Sequence, residues 1–391
     1  MKSTYDVIVV GAGPAGSIAA RTTAEAGLDT LLIEKRQEIG SPVRCGEAVG
    51  RETTEKFIPL DPRWIAAEID TYSLYNPDGD CIVLPPLERS LVLERKIFDR
   101  ELAHSAARAG AEVVVKARAT GLIRGDHRIE GVKMNVQGEP REVRAKVVIG
   151  ADGTESQTPR WAGLKSIPQL KNYYTAAQYL MTDIGMDPRI CQYHIGWSIA
   201  PGGYCWVFPK GGGQANVGMV MWVDPKETRT AIEYLNAFVS RRFPGKSILA
   251  QVVGGIPITD VLSGMVTDGY MVVGDAAHQS DPLTAGGITN GMYGGLFAAQ
   301  VAVEGIRKGD VSGKYLKKYE RMWDAEFGKL YRRLLRIRQA FLKVPEAKVS
   351  QMIAEASKLD ARRMSLKDIF FIVMKSHPHL LLEIGPYFLG Q

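Results

Sequence analysis

The first 34 residues impose a strand order on everything that follows. Tyr5-Asp6-Val7-Ile8-Val9-Val10 is rich in β-branched residues, ends at a glycine and reads as a buried strand. Gly11-Ala12-Gly13-Pro14-Ala15-Gly16 comes next, then a helical stretch to about Ala26, then Thr30-Leu31-Leu32-Ile33-Glu34 as a parallel strand. Strand, tight turn, helix and strand make a βαβ unit. Its glycines have separate duties: Gly11 permits the turn, Gly13 lets a pyrophosphate approach the backbone, and Gly16 lets helix and strand pack closely. The helix start adds N–H groups and the positive end of a dipole. Glu34 closes the second strand, where a carboxylate accepts hydrogen bonds from adenosine ribose hydroxyls. A lone GxGxxG says little. Flanked by strand, helix and acid, it predicts a dinucleotide site.

A second motif narrows the nucleotide. Tyr270-Met271-Val272-Val273 reads as a buried strand and runs into Gly274-Asp275-Ala276-Ala277-His278. Asp275 at a strand end can hold a polyol hydroxyl, although an Asp there also serves as a helix cap. Downstream, Asp281-Pro282-Leu283-Thr284-Ala285-Gly286-Gly287-Ile288 is a glycine-rich turn opening a helix. Reduced flavin carries negative charge around N1 and the C2 oxygen, and a helix N-terminus stabilises such charge. Together the two motifs predict FAD. His278 reads as a satisfied hydrogen bonder with no catalytic role.

Between the motifs the pattern changes. A helix is expected near Phe98–Ala109, and Val113–Val115 and Val147–Ile149 look like strands of the first sheet. Residues 170–260 alternate instead, as in Gln192–Ile195 and Cys205–Phe208, which predicts antiparallel strands. The expected class is α/β: a Rossmann-type FAD-binding domain over 1–75, 90–165 and 265–305, an inserted antiparallel β-sheet substrate domain over 76–89 and 166–264, and a helical C-terminal region over 306–391. Pro282–Val303 carries no charge and is long enough to span a bilayer, but its five glycines argue for a buried helix. No CxxC pair occurs among Cys45, Cys81, Cys191 and Cys205, so no metal site is expected. With no signal peptide ahead of the first strand, a cytoplasmic location is expected.

Net charge is +6, unevenly spread: residues 305–391 hold 18 basic and 9 acidic side chains, which leaves the remainder at −3. Arg332, Arg333, Arg336 and Arg338 interleave with Leu334, Leu335, Ile337 and Phe341 as on an amphipathic helix, and Ile369–Met374 and Leu380–Leu382 add apolar surface. The pattern fits either a solvated face or peripheral contact with an anionic membrane. Nothing in it points to nucleic acid.

Four segments complete the picture: Val43-Arg44-Cys45-Gly46-Glu47, Leu93-Glu94-Arg95-Lys96-Ile97-Phe98-Asp99, Gly150-Ala151-Asp152-Gly153 and Pro201-Gly202-Gly203-Tyr204-Cys205-Trp206-Val207-Phe208-Pro209-Lys210. With the two nucleotide motifs they resemble the geranylgeranyl reductase family, within the superfamily of aromatic-hydroxylase-like flavoproteins. The likeness covers roughly residues 1–330 and is strongest to archaeal members that act on membrane-lipid precursors. It implies FAD contacts from Ala15, Glu34, Cys45, Gly46, Ala48, Arg95, Ala119, Asp275, Gly287 and Ile288, alongside Gly11, Gly13, Gly16, Arg44 and Gly286. It also implies a catalytic part for Cys45, whose ordinary alternative is burial as a small hydrophobe. Arg95 suits a pyrophosphate or ribityl oxygen through its fixed fork of donors. Tyr204, Trp206 and Phe208 alternate along a strand and so share a face, either as packed core or as the wall of an apolar substrate tunnel.

The activity so implied is FAD-dependent saturation of C=C bonds in geranylgeranyl chains of archaeal phospholipid precursors (2,3-di-O-geranylgeranylglyceryl phospholipids). An isolated alkene is a poor hydride acceptor, so protonation ahead of hydride transfer is the expected order. The aromatic faces would stabilise the tertiary cation, and Cys45 or a bound water would give the proton. The reductant stays open between NADPH, ferredoxin and another donor, because no second nucleotide motif is visible. Rival readings are a geranylgeranyl diphosphate or chlorophyll side-chain reductase, a flavin monooxygenase of the same fold, and a non-catalytic prenyl-lipid escort.

Overall fold

The computed structural model describes residues 1–85, 88–224 and 226–358. They form two compact units. Met1–Val43, Arg95–Pro168 and Pro257–Arg332 make the first; Arg44–Glu94, Gln169–Ile256 and the chain from Arg333 make the second.

The first unit is built on an eight-stranded sheet. Its parallel part runs Tyr270–Val272, Glu139–Gly150, Thr4–Val10, Thr30–Ile33, Glu112–Val114. Val9 pairs with Ile149 on one side and Leu32 on the other, and all three are fully buried. Strands covered on both faces need continuous apolar runs, which is why these segments do not alternate. The chain leaves Thr4–Val10 toward one edge and returns on its other side, so the turn after it lies at the topological switch point. Ala117–Arg124 and Ile129–Val136 extend Glu139–Gly150 as an antiparallel flap.

Helix Pro14–Glu25 is gripped from two sides. A Cβ on Gly16 would fall 1.9 Å from the Gly11 carbonyl oxygen, and one on Gly295 would fall 2.1 Å from that of Ala15. Gly295 belongs to helix Ile288–Lys308, whose Gly291 and Gly294 are also buried. The uncharged stretch from Pro282 is therefore apolar and glycine-rich because it packs helix against helix. No described helix is long and apolar enough to cross a membrane.

The second unit holds a seven-stranded sheet in the order Ile248–Pro257, Tyr173–Met181, Gln214–Trp222, Tyr204–Gly211, Ile190–Ile195, Thr71–Tyr75, Cys81–Leu84. All neighbours described are antiparallel except Ile190–Ile195 against Thr71–Tyr75. Helix Ala231–Arg242 covers one face, with Tyr234, Leu235, Phe238 and Val239 against Cys205, Val207, Val217 and Met219. A capping box between Thr230 and Glu233 starts that helix. A small sheet of Ala48–Gly50, Ser90–Leu93 and Ile65–Ile69 completes the unit.

The boundaries depart from those expected. Residues 44–75 group with the second unit, because Ala48–Gly50 and Ile65–Ile69 pair with Ser90–Leu93, and Thr71–Tyr75 pairs with Ile190–Ile195. The described part of the C-terminal stretch, 306–358, is also divided between the two units. Tyr319 lies in the first unit, where its hydroxyl donates to the Val272 carbonyl at 3.0 Å, and Ser198 of the second unit binds Glu346. Long-range pairing of this kind leaves no local trace in a sequence.

The glycine grip makes a stability prediction. Gly295→Ala should cost roughly 1–3 kcal/mol, because the added methyl meets rigid backbone. Gly254→Ala, where a Cβ meets nothing within 4 Å, should leave stability unchanged or slightly raised. Equilibrium denaturation of the two variants beside the parent measures the difference, and equal midpoints would show that the two helices can separate without penalty.

Candidate functional site

In the first unit the predicted nucleotide residues converge on the C-terminal end of the parallel strands. Gly11 has φ +107°, and a Cβ there would sit 2.4 Å from the Ala151 carbonyl oxygen. Gly13 is the opposite: nothing lies within 4 Å of its Cβ position. The turn is thus closed at Gly11 and Gly16 and open at Gly13, where a phosphate must approach. Helix Pro14–Glu25 starts with no side-chain cap, so its first N–H groups are not taken by a capping side chain. Glu34 accepts from the Ala12 N–H at 3.1 Å and from the Arg36 N–H at 2.9 Å, which orients its carboxylate beside the turn. The strand bearing Ala119 begins at the same place, since the Ala117 N–H donates to the Glu34 carbonyl.

The second motif folds onto the first. A Cβ on Gly274 would touch that of Ala15 at 3.1 Å, and one on Gly287 would meet Asp275 Oδ1 at 3.0 Å. Helix Ile288–Lys308 also begins uncapped, at Gly287, with Gly286 before it and Ile288 as its first residue. Asp275 keeps some accessible surface although protein surrounds it. Burial pushes its pKa up, against the Thr154 hydroxyl at 3.2 Å and the charge of Arg95, which pull it down. Arg95 is held by a bidentate pair with Asp99 at 2.7 and 2.8 Å, so its fork is rigid. Two uncapped helix starts, one open glycine and a costly carboxylate fit a flavin dinucleotide. The pyrophosphate answers the turn, and polyol hydroxyls answer Asp275.

The hallmark Gly150-Ala151-Asp152-Gly153 turns out to be framework. Asp152 accepts from the Gln157 and Thr158 N–H groups and from the Ser156 and Thr158 hydroxyls. It ties off the chain after the central strand.

The remaining predicted residues lie in the second unit. Tyr204, Trp206 and Phe208 do share one face of their strand, opposite the helix-covered Cys205 and Val207. Trp206 and Phe208 are 6% and 5% exposed, whereas Tyr204 is half-buried. Tyr193 on the neighbouring strand completes the layer, with its ring 5.6 Å from Tyr204 and 5.3 Å from Phe208. The Trp206 Nε1–H donates to Gln178 Oε1 at 3.1 Å, and Gly218 leaves room for the indole: a Cβ there would fall 2.4 Å from it. Gly46 lies on the same aromatic strip, its Cβ position 3.0 Å from Phe208 and 3.3 Å from Trp206 Nε1. The turn Arg44-Cys45-Gly46 is therefore laid against the rings, and Ala48 starts the strand that pairs with Ser90–Leu93.

What holds that turn is a buried polar network that motif reading did not isolate. Glu47 has φ +73°, a left-handed conformation costing a non-glycine residue about 1–2 kcal/mol. Its carboxylate accepts from Lys210 Nζ at 2.9 Å and from Asn216 Nδ2 at 2.5 Å. Glu47 and Lys210 side chains are only 4% and 5% exposed. Asn216 also reaches the Gly46 carbonyl at 3.3 Å, and the Glu47 N–H donates to Cys45 Sγ at 3.2 Å. Glu47 and Lys210 both stand inside hallmark segments, so a signal existed. Asn216 and Tyr193 carried none, because only strand pairing brings them in.

Elsewhere, His278 Nε2 donates to the Ser166 carbonyl at 3.1 Å, and burial lowers its pKa, as suits a structural residue. Helix Lys329–Phe341 forms as expected, but Arg338 is 4% exposed and stacks on Tyr174 at 5.1 Å. It therefore leaves the basic face, since buried Ile337 and Ala340 turn that side of the helix inward. Ile369–Met374 and Leu380–Leu382 lie outside the described residues. Among the described residues no group of His, Cys, Asp and Glu could hold a metal.

Comparisons with known proteins bear on residues of both units. Residues 6–156 match the model of FAD dependent oxidoreductases, and residues 172–256 match that of the geranylgeranyl reductase catalytic domain. The chain is 45% identical over 388 residues to a digeranylgeranylglycerophospholipid reductase of Methanocella arvoryzae, covering 98% of this chain and 99% of that one. It is 44% identical to the protein of that name from Methanosarcina mazei, covering 99% and 97%. Among solved structures, a geranylgeranyl bacteriochlorophyll reductase-like protein from Thermoplasma acidophilum superimposes with a TM-score of 0.92 at 37% identity, covering 98% and 99%.

Asp275 gives this site a pH signature. A carboxylate whose pKa is raised by folding destabilises the fold where it must be charged, and the penalty disappears once pH falls below the unfolded value. In flavin-stripped protein, Asp275→Asn should therefore raise stability near neutral pH, and the gain should shrink toward zero as the pH is lowered into the ordinary carboxylate range. Denaturation midpoints across that range test it. A gain that is constant with pH would mean that folding does not shift the Asp275 carboxyl, and that the added stability has another source.

Proposed function

This chain belongs to the geranylgeranyl reductase family of FAD-dependent oxidoreductases, and on that premise we propose that it saturates the C=C bonds of geranylgeranyl chains on archaeal membrane phospholipid precursors. The full-length likeness to the digeranylgeranylglycerophospholipid reductases carries this reading. FAD contacts are assigned to Gly11, Gly13, Ala15, Gly16, Glu34, Arg95, Ala119, Asp275, Gly286, Gly287 and Ile288 of the first unit. Those expected of Arg44, Cys45, Gly46 and Ala48 come from the family resemblance.

When bound and reduced, FAD supplies the hydride. The protein has three other tasks. It must deliver a proton to an isolated alkene, shelter the tertiary cation that results, and keep water away from it. The aromatic strip suits the second and third. Tyr204 is half-buried, and the Trp206 N–H is already committed to Gln178, so the ring faces of the strip are what would meet the cation. Cys45 suits the first, because its turn lies on that strip through Gly46. The Glu47 carboxylate is engaged by Lys210 and Asn216, and the thiol beside it is the candidate donor on this turn, with a bound water as the alternative.

The decisive assay supplies chemically reduced protein with a digeranylgeranylglyceryl phospholipid and follows the product by mass spectrometry. Each reduced bond should add two hydrogens. Cys45→Ala should retain its flavin yet reduce the lipid more slowly, by about the hundredfold to ten-thousandfold that a positioned acid contributes. Products carrying oxygen would instead mark a monooxygenase.

A bilayer substrate calls for a docking surface. Arg332 and Arg336 are exposed on helix Lys329–Phe341, as are Leu330 and Phe341 at 47% and 38%. With Arg338 withdrawn, these residues and the basic excess of 305–391 support peripheral contact with anionic lipid, each cation contributing ~1 kcal/mol. Sedimentation with anionic vesicles should exceed that with neutral ones and be reversed by salt. Equal, salt-insensitive recovery would make this a solvated face.

A further inference from the structure

The Cys45 turn is fixed by a charge pair that neither the nucleotide motifs nor the aromatic strip requires. Lys210 reaches from its own strand to the end of another: Nζ donates to the Leu93 carbonyl and lies 3.1 Å from Glu94 as well as 2.9 Å from Glu47. Asn216, opposite Phe208 on the next strand, holds the Glu47 carboxylate and the Gly46 carbonyl with one amide group. From Glu47 the connection continues to the thiol, because its left-handed backbone sends the side chain to Lys210 and the N–H back to Cys45 Sγ. The Leu93 N–H closes the arrangement on the Glu47 carbonyl at 2.9 Å.

Stability alone does not call for ions here. Desolvating a buried pair roughly cancels its attraction, and apolar residues of similar volume commonly serve as well. What an apolar pair cannot do is fix direction. We propose that Glu47 and Lys210, with Asn216, are positioning residues for the Cys45 thiol, setting where Sγ and its hydrogen point over the aromatic strip. With Sγ accepting from the Glu47 N–H, the thiol hydrogen is directed away from Glu47. This inference rests on the reading of Cys45 as the proton source.

Two measurements on the holoprotein test it. In Lys210→Met the turn loses its anchor. Alkylation of Cys45 by iodoacetamide, followed peptide by peptide, should become faster, while buried Cys191 and Cys205 stay unlabelled and report that the fold is intact. Lipid reduction by the pre-reduced variant should slow about tenfold or more, the penalty for a reacting group displaced by a fraction of an ångström. In a Cys45→Ala background the same substitution should add nothing. Unchanged Cys45 alkylation, or rate losses that multiply in the double variant, would overturn the proposal. If Cys45→Ala itself leaves the rate untouched, the acid reading falls, and alkylation alone decides whether the pair positions the thiol. Should Lys210→Met fail to fold, Asn216→Ala removes the second hold on the same turn and is read by the same two measurements.

Discussion

Helix Pro14–Glu25 is confined between backbone surfaces that touch it at both ends of one turn. On one side the Gly11 carbonyl leaves no space for a side chain at Gly16; on the other, the Ala15 carbonyl leaves none at Gly295. That double confinement sets where two helices begin. Both start without a side-chain cap, so neither has its first N–H groups taken by a capping side chain. Asp275 sits between their starts, against Gly287, with its charged form disfavoured by burial. A dinucleotide with a central pyrophosphate and an electron-accepting ring at one end answers all these groups at once.

The second unit solves a different problem with the same economy of position. One strand presents Cys205 and Val207 to a covering helix and Tyr204, Trp206 and Phe208 to the other side. The period of two makes this automatic. What is not automatic is the exact lie of the rings, which depends on glycines at 46 and 218 and on the Gln178 amide. Aromatic faces fixed in this way need no reorganisation to meet a charge that develops beside them, which is what the proposed protonation of an alkene would call for.

Buried charge marks the places where geometry matters most. Removing one partner of a pair such as Glu47–Lys210 leaves an uncompensated ion, at a cost of about 3–5 kcal/mol. The network therefore punishes displacement of the Cys45 turn far more than displacement of an apolar contact. The bidentate Arg95–Asp99 pair does the same for a guanidinium beside Asp275.

Much of this was legible in the sequence, and for a local reason. The βαβ opening, the second nucleotide motif, the alternating aromatics and the charge-free helix are all written in neighbouring residues, where strand and helix periods and glycine sterics act directly. FAD and the family followed from them. Three things were not legible. Residues 44–75 join the second unit through pairing with strands up to about 120 residues away, which no local pattern encodes. Arg338 reads as one more cation of a basic face until the packed helix turns it onto Tyr174. The hold on Cys45 needs Glu47, Lys210 and Asn216 from three segments, and only the register Phe208 to Asn216 brings the last of them into reach. Local chemistry names the groups a reaction needs; the hydrogen-bonded register of distant strands decides which of them meet.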